Sequence, residues 1–281
     1  IEASRYDPAA AYVVYDNHTR EDHLPYVYRT ADYGKTWNAI TGDLPRNGSS
    51  YVIREDPNNP NVLFLGTEFG VFVTIDRGNH WVQLKNNLPT VAVRSMAIQA
   101  RDRDLIVGTF GRAIWIVDIG PFADLSARTF EQPAYIFDIK PGTLFKTRFT
   151  YGATIEELNG DMFFRGENPQ FGTMISYYVA RDLGQQITIS IQDEKGTVVR
   201  TLTGPGTAGI HRVNWDLKRQ NKVSDADAAR AGVTTISERE ALDWVAPGKY
   251  TAVATIGSTS VRKTVVVRKE TVGVKVGSVR K

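Results

Sequence analysis

The sequence contains no cysteine. That excludes disulfides, thiolate metal sites and cysteine nucleophiles. It leaves the compartment open, because an exported protein need not carry disulfides. Histidine is scarce too: His18, His23, His80 and His211 are all there are, so an all-histidine zinc site is not expected. No apolar run approaches the ~18 residues of a membrane-spanning helix, so no membrane span is expected. There is no P-loop, no dinucleotide fingerprint and no Gly-x-Ser-x-Gly elbow, and no cofactor is expected. Helical periodicity is absent before residue 120.

What is present fits a folded chain. The 281 residues are 42% hydrophobic and 23% charged, and twelve Tyr, twelve Phe and five Trp supply large groups for a core. At ~100–200 residues per domain the length suits two domains or one large one. The net charge of +3 is uneven. Seven basic residues and one acid, Glu270, lie beyond Ser260, and the rest of the chain is net acidic. That C-terminal stretch has no aromatics for base stacking and alternates like a strand edge, so no nucleic-acid partner is expected. The chain opens at Ile1 in strand-like sequence with no signal-peptide pattern, and reads as the C-terminal part of a longer polypeptide.

A repeat organises the first 119 residues. Tyr28-Arg29-Thr30-Ala31-Asp32-Tyr33-Gly34-Lys35-Thr36-Trp37 and Phe72-Val73-Thr74-Ile75-Asp76-Arg77-Gly78-Asn79-His80-Trp81 share the pattern aromatic-x-Thr-x-Asp-x-Gly-x-x-Trp. The two Trp are about 44 residues apart, the length of one four-stranded propeller blade. Arg5-Tyr6-Asp7-Pro8 recurs as Arg54-Glu55-Asp56-Pro57, and Gly66-Thr67 before Phe69-Gly70 as Gly108-Thr109 before Phe110-Gly111. Strands are expected at 11–15, 26–29, 51–54, 62–65, 71–74, 105–107 and 113–117. The Thr-x-Asp-x-Gly-x-x-Trp segments read as turns. Asp32 and Asp76 accept turn N–H groups, Thr30 and Thr74 support them, Gly34 and Gly78 allow positive φ, and Trp37 and Trp81 fold back beneath. The third unit has no such turn and leaves the repeat at Gly120-Pro121.

Residues 120–172 read as a connector, with a strand at 134–139. About seven short strands follow over 173–268, as in an Ig-like sandwich without its disulfide. A helical insertion is expected at 224–245, with Ser224 as N-cap and a capping box at Ser237-Glu238-Arg239-Glu240. Residues 269–281 form a basic tail. The expected fold class is therefore all-β: the terminal blades of an Asp-box β-propeller followed by an Ig-like β-sandwich.

The two Thr-x-Asp-x-Gly-x-x-Trp segments, the Arg54–Pro60 run and Gly108–Ile116 resemble the end of a sortilin-like BNR-repeat (Asp-box) propeller. Bacterial members of that family commonly carry the label "glycosyl hydrolase". The stretches 175–178, 189–192, 196–200, 213–217 and 246–250 resemble the Ig-like module appended to such proteins, and also that of flagellar hook-capping proteins. The resemblance covers nearly the whole chain. It implies an extracytoplasmic location, periplasmic or secreted. The family's exit motif, with His-Gly-Arg and an Asp-Asp pair, is met here by Phe110, Asp118 and Ile119. Only about two and a half blades are present where a closed ring needs more. The missing N-terminal blades, on the same polypeptide or a separate chain, are the first expected partner, and a protein complex or a glycan the second.

Candidate chemistry is sparse. A sialidase-type site needs clustered arginines, a Tyr/Glu pair and an acid. Arg54, Arg94 and Arg112, with Glu68, are the catalytic candidates, and Arg5 and Glu55 lie at related strand ends. A xyloglucanase-type inverting site needs two carboxylates ~6.5–9.5 Å apart across a cleft. Asp102 with Asp104, and Glu156 with Glu157, read as loop charges. Asp16, Asp22 and His23, in a polar loop, are the candidates for an oxygen-rich cation site. The leading expectation is a non-catalytic protein- or glycan-binding or scaffold role; the alternative is part of a glycoside hydrolase whose catalytic residues lie mostly on other blades.

Overall fold

The computed structural model describes residues 1–85, 87–145, 170–232 and 242–270. The fold is all-β and divides into two compact units, Ile1–Gln132 and Pro133–Lys281. Among the described residues no helix is long and apolar enough to cross a membrane.

The first unit is built of three sheets. β1 (Glu2–Ala3), β2 (Ala11–Tyr15), β3 (Tyr26–Thr30) and β4 (Asn38–Ala39) form an antiparallel meander. β5 (Ser50–Glu55), β6 (Leu63–Thr67), β7 (Gly70–Thr74) and β8 (Val82–Leu84) form the second, in the same order. β9 (Val93–Gln99), β10 (Asp104–Thr109) and β11 (Ile114–Asp118) form the third. Strand neighbours that follow chain order, repeated sheet after sheet, are the construction of propeller blades.

The sequence dictates how the blades stack. In β6 and β7 every residue is buried, because the middle blade packs on both faces. Ile53, Leu63, Leu65, Phe72 and Trp81 meet Tyr12, Val27 and Leu44 of the first blade. Val52, Phe64, Val71 and Val73 meet Val93, Met96, Leu105 and Val107 of the third. Burying each such side chain contributes roughly 1.5–3 kcal/mol. A strand buried on both faces loses the alternation of a half-buried one, which is why Leu63-Phe64-Leu65 runs apolar. The outer blades keep one face open. Ile114 and Ile116 on the third are 71% and 68% exposed.

The segment expected as a connector is divided. Gly120–Asp124 is a 3-10 turn and α1 (Ala127–Glu131) a short helix, both in the first unit. Asn59 Nδ2 donates to the carbonyls of Phe122 and Leu125 at 3.1 and 2.9 Å, and Phe122 packs edge-on to Phe64 with ring centroids 5.5 Å apart. β12 (Ala134–Ile136) and β13 (Gly142–Leu144) belong instead to the sheets of the second unit.

That unit is a two-sheet sandwich. β12 pairs with β14 (Thr173–Val179), which pairs with β17 (Gly209–Trp215). The other sheet orders β13, β19 (Thr259–Lys269), β18 (Gly248–Ile256), β15 (Ile187–Gln192) and β16 (Val198–Gly204), with β13 parallel to β19. Trp215, Tyr177, Ile175, Ile189 and Val265 fill the space between the sheets. Ser224 caps α2 (Asp225–Arg230) by accepting the Asp227 N–H at 3.1 Å. The expected capping box at 237–240 and the basic tail from 271 lie outside the described residues.

Candidate functional site

Chemistry-bearing residues gather at the end of the blades where β5 and β9 begin. Each of those strands starts with an irregularity of the same kind. Ser50 pairs with Thr67 and Val52 with Gly66, so Tyr51 has no partner across the ladder. Val93 pairs with Thr109 and Ser95 with Gly108, so Arg94 has none. A bulge of this kind turns the extra side chain away from its normal alternation. Matching bulges bring Tyr51 and Arg94 together: the Arg94 guanidinium lies 4.0 Å from the Tyr51 ring centroid and 5.7 Å from that of Phe110. Arg94 is 47% exposed at its side chain and 3.9 Å from Asp16, a loose ion pair that leaves its donors available to a ligand.

Backbone bonds stitch the surrounding loops. Gly48 N–H donates to the His23 carbonyl, Glu68 N–H to that of Ser49, and Phe110 N–H to that of Ala92. Two acids face this end. His18 Nδ1 sits 2.6 Å from Asp16 Oδ1 and 2.7 Å from Oδ2. Burial pushes the Asp16 carboxyl up, but hydrogen bonds from the His18 side chain and backbone outweigh it and hold the group below its ordinary value. The buried Ser49 hydroxyl has no hydrogen-bond partner among the described residues. Glu68 has His23 Nδ1 at 3.9 Å. Burial raises the Tyr51 phenol, and Arg94 opposes it.

The other candidates serve elsewhere. Arg54 donates through Nε to the Met96 carbonyl at 2.9 Å and through Nη1 to Glu2 at 3.3 Å, and so ties β1, β5 and β9 together. Arg112 is exposed, and its carbonyl accepts from Trp115 Nε1. Glu55 is buried and accepts from Ser4 Oγ, the Arg5 N–H and Tyr12 Oη at 2.7–3.0 Å. Burial first, then Glu55, pushes the Tyr12 phenol up to about 12. The three cation-ligand candidates turn to separate partners. Asp22 accepts from Asn17 at 2.8 Å and Tyr26 at 2.7 Å, while Asp16 and His23 turn to His18 and Glu68. Among the described residues no group of three or more His, Asp or Glu could hold a metal. Glu156 and Glu157 lie outside the described residues.

The two turns are held by their own side chains. Thr30 Oγ1 donates to Asp32 at 2.8 Å and accepts from Gly34 N–H at 2.9 Å, and Asp32 accepts the Thr36 N–H and hydroxyl at 2.9 and 2.6 Å. These bonds, led by the Thr36 hydroxyl, lower Asp32 to about 2. Thr74, Asp76 and Gly78 repeat the arrangement, with His80 Nδ1 2.6 Å from Asp76 in the place of the Thr36 hydroxyl. The turns are satisfied internally, at strand ends opposite those that carry Tyr51 and Arg94.

Sequence reasoning missed Tyr51, Phe110 and Ser49. Arg94 was visible as a type of residue but not as a neighbour of Tyr51. The signal that could have found the pair is its register: residues 51 and 94 occupy the same place in successive repeats.

No family model matches this chain, and no curated protein matches it. Among solved structures it is similar to PorZ, a surface component of the type-IX secretion system of Porphyromonas gingivalis: 13% identity, TM-score 0.33, covering 87% of this chain and 28% of that one. It is also similar to the GH74 xyloglucanase of Xanthomonas campestris: 14% identity, TM-score 0.34, covering 93% of this chain and 46% of that one. A GH74 enzyme of Niastella koreensis shows 13% identity and TM-score 0.32, covering 92% of this chain and 37% of that one. The chain spans less than half the length of each of these proteins.

Proposed function

We propose that the chain is the binding or scaffold portion of an exported, sortilin-like Asp-box propeller protein, with the Tyr51–Arg94–Phe110 edge as its ligand surface. The observation that carries this reading is the pair of matched bulges. They set a solvent-accessible guanidinium on an aromatic ring beside exposed Phe110, with Asp16 and Glu68 at the rim. A flat apolar group next to a planar fork of donors suits a glycan or a polar loop of a protein. The turn bonding of Asp32 and Asp76 supports the Asp-box reading. The Tyr250 hydroxyl supports the Ig-like one: it donates back to the Ala246 carbonyl at 2.8 Å, as in the tyrosine corner of that fold.

The hydrolase alternative needs a carboxyl kept protonated as general acid. Asp16 is held the other way. Asp56 is raised, by burial first, but it is 1% exposed and accepts the Asn58 and Asn59 N–H groups of its own turn. The test is to titrate the chain with xyloglucan oligosaccharides and sialyllactose, measuring bound ligand and released reducing sugar together. The expected result is binding without release, weakened on the order of tenfold in Arg94→Ala. Release of sugar that is lost in the same variant would replace this reading with the hydrolase one. No binding of either sugar would remove the glycan arm and leave protein as the ligand class.

A further inference from the structure

The contact between the first two blades is an interlock whose other half stands open. In the second blade Trp81 is 6% exposed. Its indole N–H donates to the Ile40 carbonyl at 2.9 Å, and its backbone N–H to Asp43 Oδ1 at 2.7 Å. A Cβ on Gly78 would stand 2.8 Å from the Ile40 carbonyl oxygen, and one on Gly42 would collide with that of Asn79. The loop Ile40–Leu44 of one blade is thus clamped by the Thr-x-Asp-x-Gly-x-x-Trp turn of the next.

The first blade carries the same turn with none of the described residues in its grip. Trp37 is 40% exposed, and a Cβ on Gly34 would meet only the Trp37 ring, at 3.9 Å. Val13, Tyr15, Tyr26, Tyr28 and Trp37, with Asp16 and Asn17 at one end, line an open cavity of about 440 Å³. By pairing register Val13 and Tyr28 stand where Leu65 and Phe72 do, two of the residues through which the second blade meets the first. The loop recurs as well. Leu84, Asn87 and Leu88 follow Trp81 at the spacing at which Ile40, Asp43 and Leu44 follow Trp37. The third blade has no such loop: Ile119-Gly120-Pro121 follows β11 directly. A second copy of this chain, offering its third blade, would not fill the grip.

We infer that the Trp37 face receives another blade of the same repeat, one presenting a loop of the form aliphatic-x-x-Asp/Asn-Leu to the Trp37 indole and backbone N–H. This deepens the propeller reading above and rests on it. It continues an interface the chain already contains by one repeat, and the aromatic face supplies the apolar area.

Two measurements test it. In the chain as it stands, Trp37→Ala is expected to move the urea midpoint far less than Trp81→Ala, because the loop that Trp37 would clamp is not there. Equal shifts would overturn the inference. Second, a copy of residues 1–48 is fused ahead of Ile1, so that its own Ile40–Leu44 loop is the probe. Hydrogen exchange at the original Trp37 amide is expected to slow on the order of tenfold or more, and Asp43→Ala in the added copy should reverse this. An added blade that is itself protected while Trp37 exchanges as before would overturn the inference. If the added blade does not fold, the comparison of Trp37→Ala with Trp81→Ala decides alone. Sugar binding at Arg94 that survives a negative result here would show that the docking idea failed and the binding role did not.

Discussion

Residues with the same place in the repeat have been given different electrostatic roles. Asp32 holds a hydroxyl, whereas Asp76 holds His80. The hydrogen bond and the charge of Asp76 raise the His80 imidazole above 6.5, and hydrogen bonds from His80 lower the Asp76 carboxyl below 3.8 despite its burial. For His80 the folded value is raised, so its contribution is complete below pH 6.5 and fades as pH rises through the folded value. For Asp76 it is lowered, so its contribution is complete above pH 3.8 and fades as pH falls through the folded value. The second turn is accordingly most stable between these limits. An NMR titration of the His80 ring should show a midpoint above 6.5 that drops back towards it in Asp76→Asn. A midpoint unchanged by that substitution would mean the 2.6 Å contact does not persist in solution. The carboxylate–turn bonds themselves were legible in the sequence, because they form within a few residues. The His80 partnership was not singled out, because the pattern leaves that position free.

At the scale of elements, the interlock makes two glycines unequal. Gly34 and Gly78 both have positive φ, +81° and +96°, so any side chain at either is strained by roughly 1–2 kcal/mol. Only Gly78 also faces the Ile40 backbone at 2.8 Å. Gly78→Ala should therefore cost more than Gly34→Ala, by about 1 kcal/mol or more, in urea unfolding. Equal costs would mean the loop yields. Long, patterned strands such as β2, β15 and β18 were legible, because alternation and β-branched residues mark them. The short outer strands β4 and β8 were not, since two or three residues carry no period. β9 was missed because the bulge at Arg94 breaks its alternation. The same bulge helped build the candidate site. Asn59, between β5 and β6, holds the Gly120–Leu125 segment, a contact that no local pattern announces.

For the whole molecule, each unit has its own core, one around Phe64 and one around Trp215. Calorimetry should resolve two transitions. Phe64→Ala is expected to lower one and Trp215→Ala the other, each by ~3–5 kcal/mol. A single transition lowered by both would mean the units unfold as one. The middle blade carries a further consequence, for synthesis. Leu63–Thr67 and Gly70–Thr74 contain no charged residue, and all their side chains are destined for burial. Until both neighbours exist, that hairpin is an uncapped template for pairing with other nascent chains. Residues 1–39 leave the ribosome before the hairpin and shield one face, but the other waits for residues 93–118. During that interval Glu68 at the hairpin tip and the Asp76-Arg77 pair beyond it are the nearest charges to hold off aggregation.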